Sequence, residues 1–237
     1  MKKYQEIYND LKEKIRTNVY FAGTTLPTEQ QLQEKYGVSR DTVRKALMIL
    51  TEGGLIQKVQ GRGSLVLKQE ILNFPVSGLT SYKELADSLH LSTKTKVISL
   101  EMLTVNSSLA HVTGFEPHSK VWKVTRTRSI DGKIAVVDTD YLLVDFVPEL
   151  TVETAEHSIY EYLEHHLKLD IAYAHKEITV EPISQKEREL MKCQDDYLVL
   201  IKSKVYLGDT KQFQYTESKH KIDKFRFVDF ARRKHSL

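Results

Sequence analysis

The sequence predicts an α+β protein in which a small helical domain with a β-hairpin precedes a larger domain built on an antiparallel sheet. Three observations lead to this prediction. Apolar residues recur at helical spacing in three segments before residue 52, and two short strand-like runs around a glycine turn follow them. Beyond residue 120, longer strand-like runs are separated by tight turns and short helices, as in antiparallel sheets.

The composition is that of a globular protein with apolar cores. At 237 residues, with 41% hydrophobic and 28% charged residues, the chain has room for two domains. No apolar run approaches the roughly 20 residues of a membrane span, and the N-terminus lacks the apolar segment of a signal peptide. The single cysteine, Cys193, allows no intrachain disulfide framework. We therefore expect a cytoplasmic protein with no membrane partner.

The positive charge is concentrated in the first domain. Residues 1–70 carry 12 Lys and Arg against 8 Asp and Glu, a net charge of +4. The remaining 167 residues carry 23 against 24, a net charge of −1. The first domain is therefore the one suited to an anionic partner such as nucleic acid.

Local signals predict three helices in the first domain. An apolar stripe marks the first helix and consists of Tyr4, Ile7, Tyr8, Leu11 and Ile15. Thr28 and Gln31 form a capping box that begins the second helix, which ends at Gly37. Ser39 caps the third helix, whose apolar stripe consists of Val43, Ala46, Leu47 and Leu50. Two short helices joined by a tight turn are typical of a helix-turn-helix.

The first turn of the third helix carries Arg40, Thr42 and Arg44 away from its apolar stripe. Arginine side chains there can form paired hydrogen bonds with the edge of a guanine in the DNA major groove. The alternative is a solvated helix whose arginines only maintain solubility.

The strand-like runs at residues 55–60 and 64–67 predict a hairpin with Arg62 at its glycine-rich tip. Such a hairpin can simply cover the core, or it can be a wing that approaches DNA. Arginines at both the third helix and the hairpin tip favour the wing.

Three segments of this domain resemble the winged helix-turn-helix of the GntR family of bacterial repressors. They are residues 26–29, 36–47 and 61–64, within a resemblance that covers residues 4–67. In that family the start of the second helix, the first turns of the third and the wing tip contact DNA. The resemblance implies DNA contacts from Gln30, Ser39, Arg40, Thr42, Arg44, Gln60, Gly61 and Arg62. Gln30 departs from the arginine usual in the family, so a contact there is uncharged and favours a different base.

A connector separates this domain from the next. Residues 73–78, Asn-Phe-Pro-Val-Ser-Gly, have the composition of a loop. We predict a DNA-binding domain at residues 1–70, a linker at 71–78 with its hinge near Pro75, and a second domain at 79–237. Ser81 and Glu84 form a capping box at the start of a helix, where free N–H groups can also bind an anion.

A strand predicted at residues 121–130 places Arg126 and Arg128 on its inward, partly apolar face. Polar residues between them mark the opposite face as solvated. Two inward arginines require anions, which either a bound ligand or an internal carboxylate can supply. Asp138 and Asp140 on the next strand are the candidates for internal partners.

The turn at Asp131 and Gly132 decides which way Asp138 faces. A two-residue turn directs Asp138 away from the arginines. A three-residue loop with a bulge shifts the register by one residue and directs it towards them. The sequence leaves both possibilities open.

The remaining pattern completes an α+β domain. Ser158 and Glu161 form a further capping box that begins a helix. The nearby His157, His165 and His166 are expected on a solvated surface rather than around a metal ion. Strand-like runs at residues 171–181, 197–207 and 212–221, with a helix at 184–192, complete the antiparallel sheet.

This second domain resembles the effector-sensing UTRA domain of the HutC branch of the GntR family, which has the chorismate lyase-like fold. The segments that carry the resemblance are residues 78–84, 124–128, 158–160 and 214–227. The resemblance implies a phosphate site formed by Thr80, Ser81, Tyr82, Arg126 and Arg128. It also implies contacts with sugar hydroxyls from Asp138, Ser158, Gln214 and His220. His220 replaces a tyrosine usual in the wider family, and Gln214 replaces a carboxylate of amino-sugar sensors, which fits a ligand without an amine.

The resemblance implies a homodimeric repressor, joined through its C-terminal domain, that binds palindromic double-stranded operator DNA. Residues 74–81, 176–182 and 213–218 are similar to members that control trehalose utilisation. They imply trehalose 6-phosphate as the inducer and no cofactor; another phosphosugar, such as glucosamine 6-phosphate, is the alternative. The chorismate lyase-like fold suggests an enzyme as the rival class. The sequence has no nucleophile–base pair, metal-ligand spacing or phosphate-transfer loop, so we expect no enzyme.

Overall fold

The computed structural model describes residues 2–68, 79, 81–88 and 92–225. These residues form two compact units, one within residues 2–68 and the other within residues 79–225. The predicted linker at 71–78, its hinge at Pro75 and the predicted site residue Thr80 lie outside the described residues. The domain limits at 70 and 79 therefore stay predictions.

The first unit has the predicted three helices and hairpin. They are α1 (Lys3–Arg16), α2 (Glu29–Tyr36), α3 (Arg40–Glu52), β1 (Ile56–Val59) and β2 (Gly63–Val66). Both predicted caps are present, because the Thr28 hydroxyl accepts from the N–H of Gln31 at 3.2 Å and the Ser39 hydroxyl from that of Thr42 at 3.4 Å. Gly37 ends α2 in the left-handed region, with φ of 61°.

The helices of this unit bury their apolar stripes in one core. The core contains Ile7, Leu11, Leu32, Val43 and Leu50, together with Ile56 and Val66 of the hairpin. Because α3 is packed against the core along its apolar stripe, its first turn and the hairpin tip stay at the surface.

The second unit is a six-stranded antiparallel sheet with short helices packed on it. Its elements are α4 (Tyr82–Ser88), β3 (Thr93–Thr104), α5 (Ser107–Thr113), β4 (Lys120–Ile130), β5 (Lys133–Leu143), α6 (Val152–His157), α7 (Ile159–Glu161), β6 (Ile171–Pro182), α8 (Gln185–Met191), β7 (Tyr197–Leu207) and β8 (Gln212–Lys221). The strand order is β3-β4-β5-β8-β7-β6. Two three-stranded meanders therefore meet at the central β5–β8 pair, and the α+β prediction is confirmed.

The secondary structure of this unit differs from the sequence prediction in two ways. The sequence did not indicate β3, α5 or α6 as separate elements. The helix predicted after Ser158 begins at its cap, but α7 passes into a π-helical turn at Tyr162–His166.

The prediction that the second face of β4 is solvated is wrong in part: Lys123, Thr125 and Ser129 are partly exposed, but two other residues of this face are buried. Val121 is fully buried and packs with Val105 and Phe115, close to α5. Thr127 is also buried and pairs with Val137 of β5, the strand on which α8 packs. Helices thus cover this face of the sheet at two places, which the polarity of β4 alone does not indicate.

The turn between β4 and β5 combines the two possibilities left open by the sequence. It has only two residues, Asp131 and Gly132, both with positive φ, as in a type I′ turn. The register then shifts by one residue beside the turn, because Ala135 is an extra residue on β5. Asp138 consequently pairs with Arg126 in the register and faces the same side as the arginines. The expectation that a two-residue turn directs Asp138 away from them is therefore wrong.

Candidate functional site

The predicted DNA-binding residues of the first unit lie on its surface around α3 and the hairpin tip. Gln30, Ser39, Arg40 and Arg44 are exposed and Thr42 is partly exposed. The hairpin residues Gln60, Gly61 and Arg62 are likewise exposed. The Gln30 amide donates to Glu34 at 3.1 Å, within α2. The arrangement leaves the arginines of α3 and the hairpin tip available to a partner.

Glu29, which the sequence analysis did not single out, joins the cations of this surface. Its carboxylate accepts a hydrogen bond from Arg40 Nε at 3.0 Å and one from Lys58 Nζ at 3.0 Å. Arg44 Nε lies 3.7 Å from the same carboxylate. The ion pairs with Lys58 and Arg40 lower the pKa of Glu29. Residues of α2, α3 and β1 are therefore connected through one carboxylate.

The second unit contains a cavity of about 180 Å³ on one face of its sheet. All eight described members of the predicted effector set line it, namely Ser81, Tyr82, Arg126, Arg128, Asp138, Ser158, Gln214 and His220. The ninth, Thr80, is outside the described residues. Strands β4, β5, β7 and β8 form the floor of the cavity, and the starts of α4 and α7 contribute to its walls.

Two buried Arg–Asp pairs cross the floor. Arg126 Nη2 donates to Asp140 at 2.7 Å, and Arg128 Nε donates to Asp138. Burial raises the pKa of Asp138, but Arg128 and Arg126 outweigh that effect and hold it below its usual value. Internal carboxylates are therefore partners of both arginines, so the arginine pair alone does not indicate a bound anion.

Neutral side chains complete the contacts of the two aspartates. Asp140 Oδ1 accepts hydrogen bonds from Gln214 Nε2 and Thr216 Oγ1, both at 2.8 Å. Asp138 Oδ1 accepts one from Ser218 Oγ at 2.5 Å. Each carboxylate therefore has partners at both oxygens, which leaves little capacity for an additional cationic group.

Three buried side-chain atoms lack a hydrogen-bond partner among the described residues, and all three belong to residues that line the cavity. They are Arg126 Nε, which can only donate, Gln214 Oε1, which can only accept, and the Tyr82 hydroxyl. An unpaired buried polar atom is costly, so these atoms favour a ligand that both accepts and donates. A sugar hydroxyl can do both.

The two predicted serines have structural roles at helix starts. The Ser81 hydroxyl accepts from the N–H of Glu84 at 3.1 Å, and the Ser81 N–H donates to the Glu84 carboxylate at 2.7 Å. The Ser158 hydroxyl accepts from the N–H of Glu161 at 3.2 Å. The capping box is therefore confirmed at Ser81. At Ser158 only the serine cap is present, because the Ser158 N–H donates to the Thr154 carbonyl and the Glu161 carboxylate pairs with Lys83. The Arg128 guanidinium also lies over the Tyr82 ring, 4.3 Å from its centroid.

Burial changes the titration of two predicted members of the cavity. It raises the pKa of Tyr82 to about 12 and lowers the pKa of His220 to about 4. His220 is therefore neutral at pH 7, and it can form hydrogen bonds without adding charge.

The cavity includes several residues that sequence reasoning missed. Lys176 enters from β6, and burial lowers its pKa. Lys83 lies at the start of α4, 2.7 Å from Glu161 and 2.9 Å from His157. Tyr160 follows Ser158, and burial raises its pKa. All three residues lie within segments that carry the resemblance, 78–84, 158–160 and 176–182, and this was the available signal.

Cationic side chains predominate among the charged groups of the cavity lining. Four cationic side chains, Arg126, Arg128, Lys83 and Lys176, line the cavity with two carboxylates, Asp138 and Asp140. Lys83 also pairs with Glu161, which does not line the cavity, so the excess is one positive charge. In the part of the chain that the structure covers, no three His, Cys, Asp or Glu residues are placed to hold a metal ion. His157, His165 and His166 are exposed, as predicted.

None of the helices within the described ranges has the length and apolarity required to cross a membrane.

Comparisons with known proteins assign both units. Residues 3–66 match the bacterial regulatory proteins of the gntR family, and residues 88–226 match the UTRA domain. The chain is 46% identical over 232 residues to the HTH-type transcriptional regulator TreR of Bacillus subtilis (strain 168), with 98% of each chain covered. It is 31% identical over 234 residues to the mannosyl-D-glycerate transport/metabolism system repressor MngR of Escherichia coli (strain K12), covering 98% of this chain and 97% of that one.

Two solved structures agree with these matches. The possible transcriptional regulator YydK from Bacillus subtilis superposes with a TM-score of 0.82 at 25% identity, covering 98% of this chain and all of that one. The effector binding domain of the B. subtilis trehalose repressor has a TM-score of 0.55 at 43% identity, covering 60% of this chain and 99% of that one.

Proposed function

Because the chain belongs to the GntR family of bacterial transcriptional regulators and carries a UTRA domain, we propose that it represses a trehalose-utilisation operon and that trehalose 6-phosphate releases it from DNA. The relatives and structural neighbours are regulators, so the rival reading as a chorismate lyase-like enzyme is excluded. The trehalose assignment rests on the similarity to TreR and to the effector domain of the trehalose repressor.

The choice of ligand is supported by two features of the cavity together, its positive charge and its unpaired polar atoms. The cavity lining has Lys83 and Lys176 in addition to its two Arg–Asp pairs, and this positive charge suits a phosphate group, which carries about −1.5 to −2 charge at pH 7. The unpaired atoms of Arg126, Gln214 and Tyr82 suit hydroxyls. A phosphorylated, hydroxyl-rich sugar supplies both.

The same cavity disfavours an amino sugar. An ammonium group needs a carboxylate or several acceptors to replace its hydration. Asp138 and Asp140 already engage arginines and neutral donors at both oxygens. Gln214 offers an uncharged oxygen where an acidic residue would offer a charge. This supports trehalose 6-phosphate over glucosamine 6-phosphate.

The proposed repressor is a homodimer joined through the UTRA domain, in which each winged domain binds half of a palindromic site. The inducer acts by linkage, so it releases DNA only if it binds the DNA-free state more tightly. Trehalose 6-phosphate is expected to weaken operator binding at constant salt, as measured by fluorescence anisotropy of a labelled operator. Trehalose, glucose 6-phosphate and glucosamine 6-phosphate serve as controls. An operator affinity that does not change at saturating trehalose 6-phosphate would show that the inducer is wrong.

A further inference from the structure

We propose that Glu29 is a positioning residue for DNA recognition, which holds Arg40 in the orientation that contacts bases and weakens binding to DNA that lacks the specific site. This role depends only on contacts within the first unit and is independent of which operon or inducer the protein recognises. Glu29 is the first residue of α2, and its side chain is 20% exposed. Its cationic partners are far more exposed, at 66% for Arg40 and 65% for Lys58.

The contact between Arg40 and Glu29 leaves the two terminal nitrogens of the Arg40 guanidinium group available for DNA. Glu29 accepts its hydrogen bond from Nε, on the side of the guanidinium group, at 3.0 Å. The two terminal nitrogens remain at the far edge of the group, and such an edge can donate in parallel to O6 and N7 of a guanine. Glu29 thus restricts a long, exposed side chain before DNA arrives, which reduces the ordering cost of the base contact.

The same carboxylate connects the three parts of the DNA-binding surface. Arg40 and Arg44 belong to α3, Lys58 belongs to β1 of the hairpin, and Glu29 belongs to α2. A negative charge among three cations also opposes the phosphate attraction that dominates sequence-independent binding. Glu29 therefore has opposite effects on the two kinds of DNA: it strengthens binding to the specific site and weakens binding to other sequences.

A simpler explanation assigns Glu29 only a structural role. An acidic residue in the first turn of a helix interacts favourably with the helix dipole. A loss of this interaction lowers the stability of the folded unit and weakens binding to every DNA sequence together. The two explanations therefore differ in the sign of the effect on non-specific DNA.

The test compares Glu29→Gln with the unchanged full-length chain on two duplexes. One is the duplex that the unchanged chain enriches from a randomised library, and the other has the same composition in shuffled order. We expect the variant to bind the enriched duplex about tenfold more weakly, within the range of one lost paired base contact. We expect it to bind the shuffled duplex several-fold more tightly, with a salt dependence steeper by about one phosphate contact.

Two further variants separate charge from geometry. Glu13→Gln removes an equal charge from α1, where Glu13 pairs with Arg16, and is expected to leave the ratio of the two affinities unchanged. Glu29→Asp keeps the charge but shortens the side chain. It is expected to weaken binding to the enriched duplex and to leave binding to the shuffled duplex unchanged. Parallel weakening on both duplexes, parallel tightening on both, or a Glu29→Asp variant that matches the unchanged chain would overturn the proposal.

Discussion

The buried pair of Arg126 and Asp140 gives the sharpest test of how the effector cavity is built. Their side chains are 6% and 3% exposed, and the Arg126 Nη2 to Asp140 distance is 2.7 Å. Substituting Arg126→Met removes the guanidinium group and leaves Asp140 buried without its cationic partner. Removal of one member of a buried ion pair typically costs about 3–5 kcal/mol of folding free energy. For a domain of this size, that corresponds to a fall in melting temperature of roughly 6–20 °C.

The double variant Arg126→Met/Asp140→Asn isolates the charge. The amide oxygen that it introduces can still accept from Gln214 and Thr216, which donate to Asp140 at 2.8 Å in the unchanged chain. With no uncompensated charge, the double variant is expected to regain most of the lost stability. Urea unfolding of the full chain, followed by the fluorescence of Trp122 in the second unit, measures the difference. A single variant within about 1 kcal/mol of the unchanged chain, or a double variant whose loss equals the sum of both single losses, would refute the reasoning.

Three further predictions concern DNA, inducer and pH. Arg40→Ala or Arg44→Ala is expected to abolish operator binding with the inducer affinity intact, which gel shift and inducer titration measure separately; equal loss of both would indicate misfolding. Arg128→Lys keeps a charge beside Asp138 but loses the planar group over Tyr82, so about tenfold more inducer should be needed to release DNA; an unchanged release curve would show that the guanidinium is dispensable. The pKa of His220 is about 4 in the folded chain and about 6.5 in the unfolded chain. On acidification, His220 of the unfolded chain therefore binds a proton at a higher pH than His220 of the folded chain. Stability is expected to fall by about 3 kcal/mol between pH 6.5 and 4, and His220→Gln should reduce that slope in urea unfolding.

The first unit could be predicted almost completely because its signals are local. The caps at Thr28 and Ser39 and the left-handed Gly37 depend on neighbours within four residues. The contacts of Glu29 could not be predicted in the same way. Lys58 is 29 residues away from Glu29, and the two meet only once the hairpin packs beside the helices.

In the second unit, the face of the arginines could be predicted from the sequence, but their partners could not. Strand alternation alone placed Arg126 and Arg128 on the inward face, and both are buried or nearly so. Their partners depended on one extra residue, Ala135, whose bulge shifts the register of β5. A shift of one residue changes the face of every following side chain, and no local pattern specifies it. Lys176 reaches the cavity only because β6 is added beside β7, which is a tertiary event.

The DNA-binding surface of the first unit and the cavity of the second share one physical feature. In both, an internal carboxylate holds an arginine before any ligand arrives. Glu29 holds Arg40, Asp140 holds Arg126 and Asp138 holds Arg128. A phosphate that approaches such an arginine must share it with, or displace, a group of similar charge, so the charge alone gains little. The neutral contacts then decide the outcome, and these are base edges for DNA and hydroxyls for the proposed sugar phosphate. We therefore expect both surfaces to bind bare phosphate weakly, because of the carboxylates rather than the arginines.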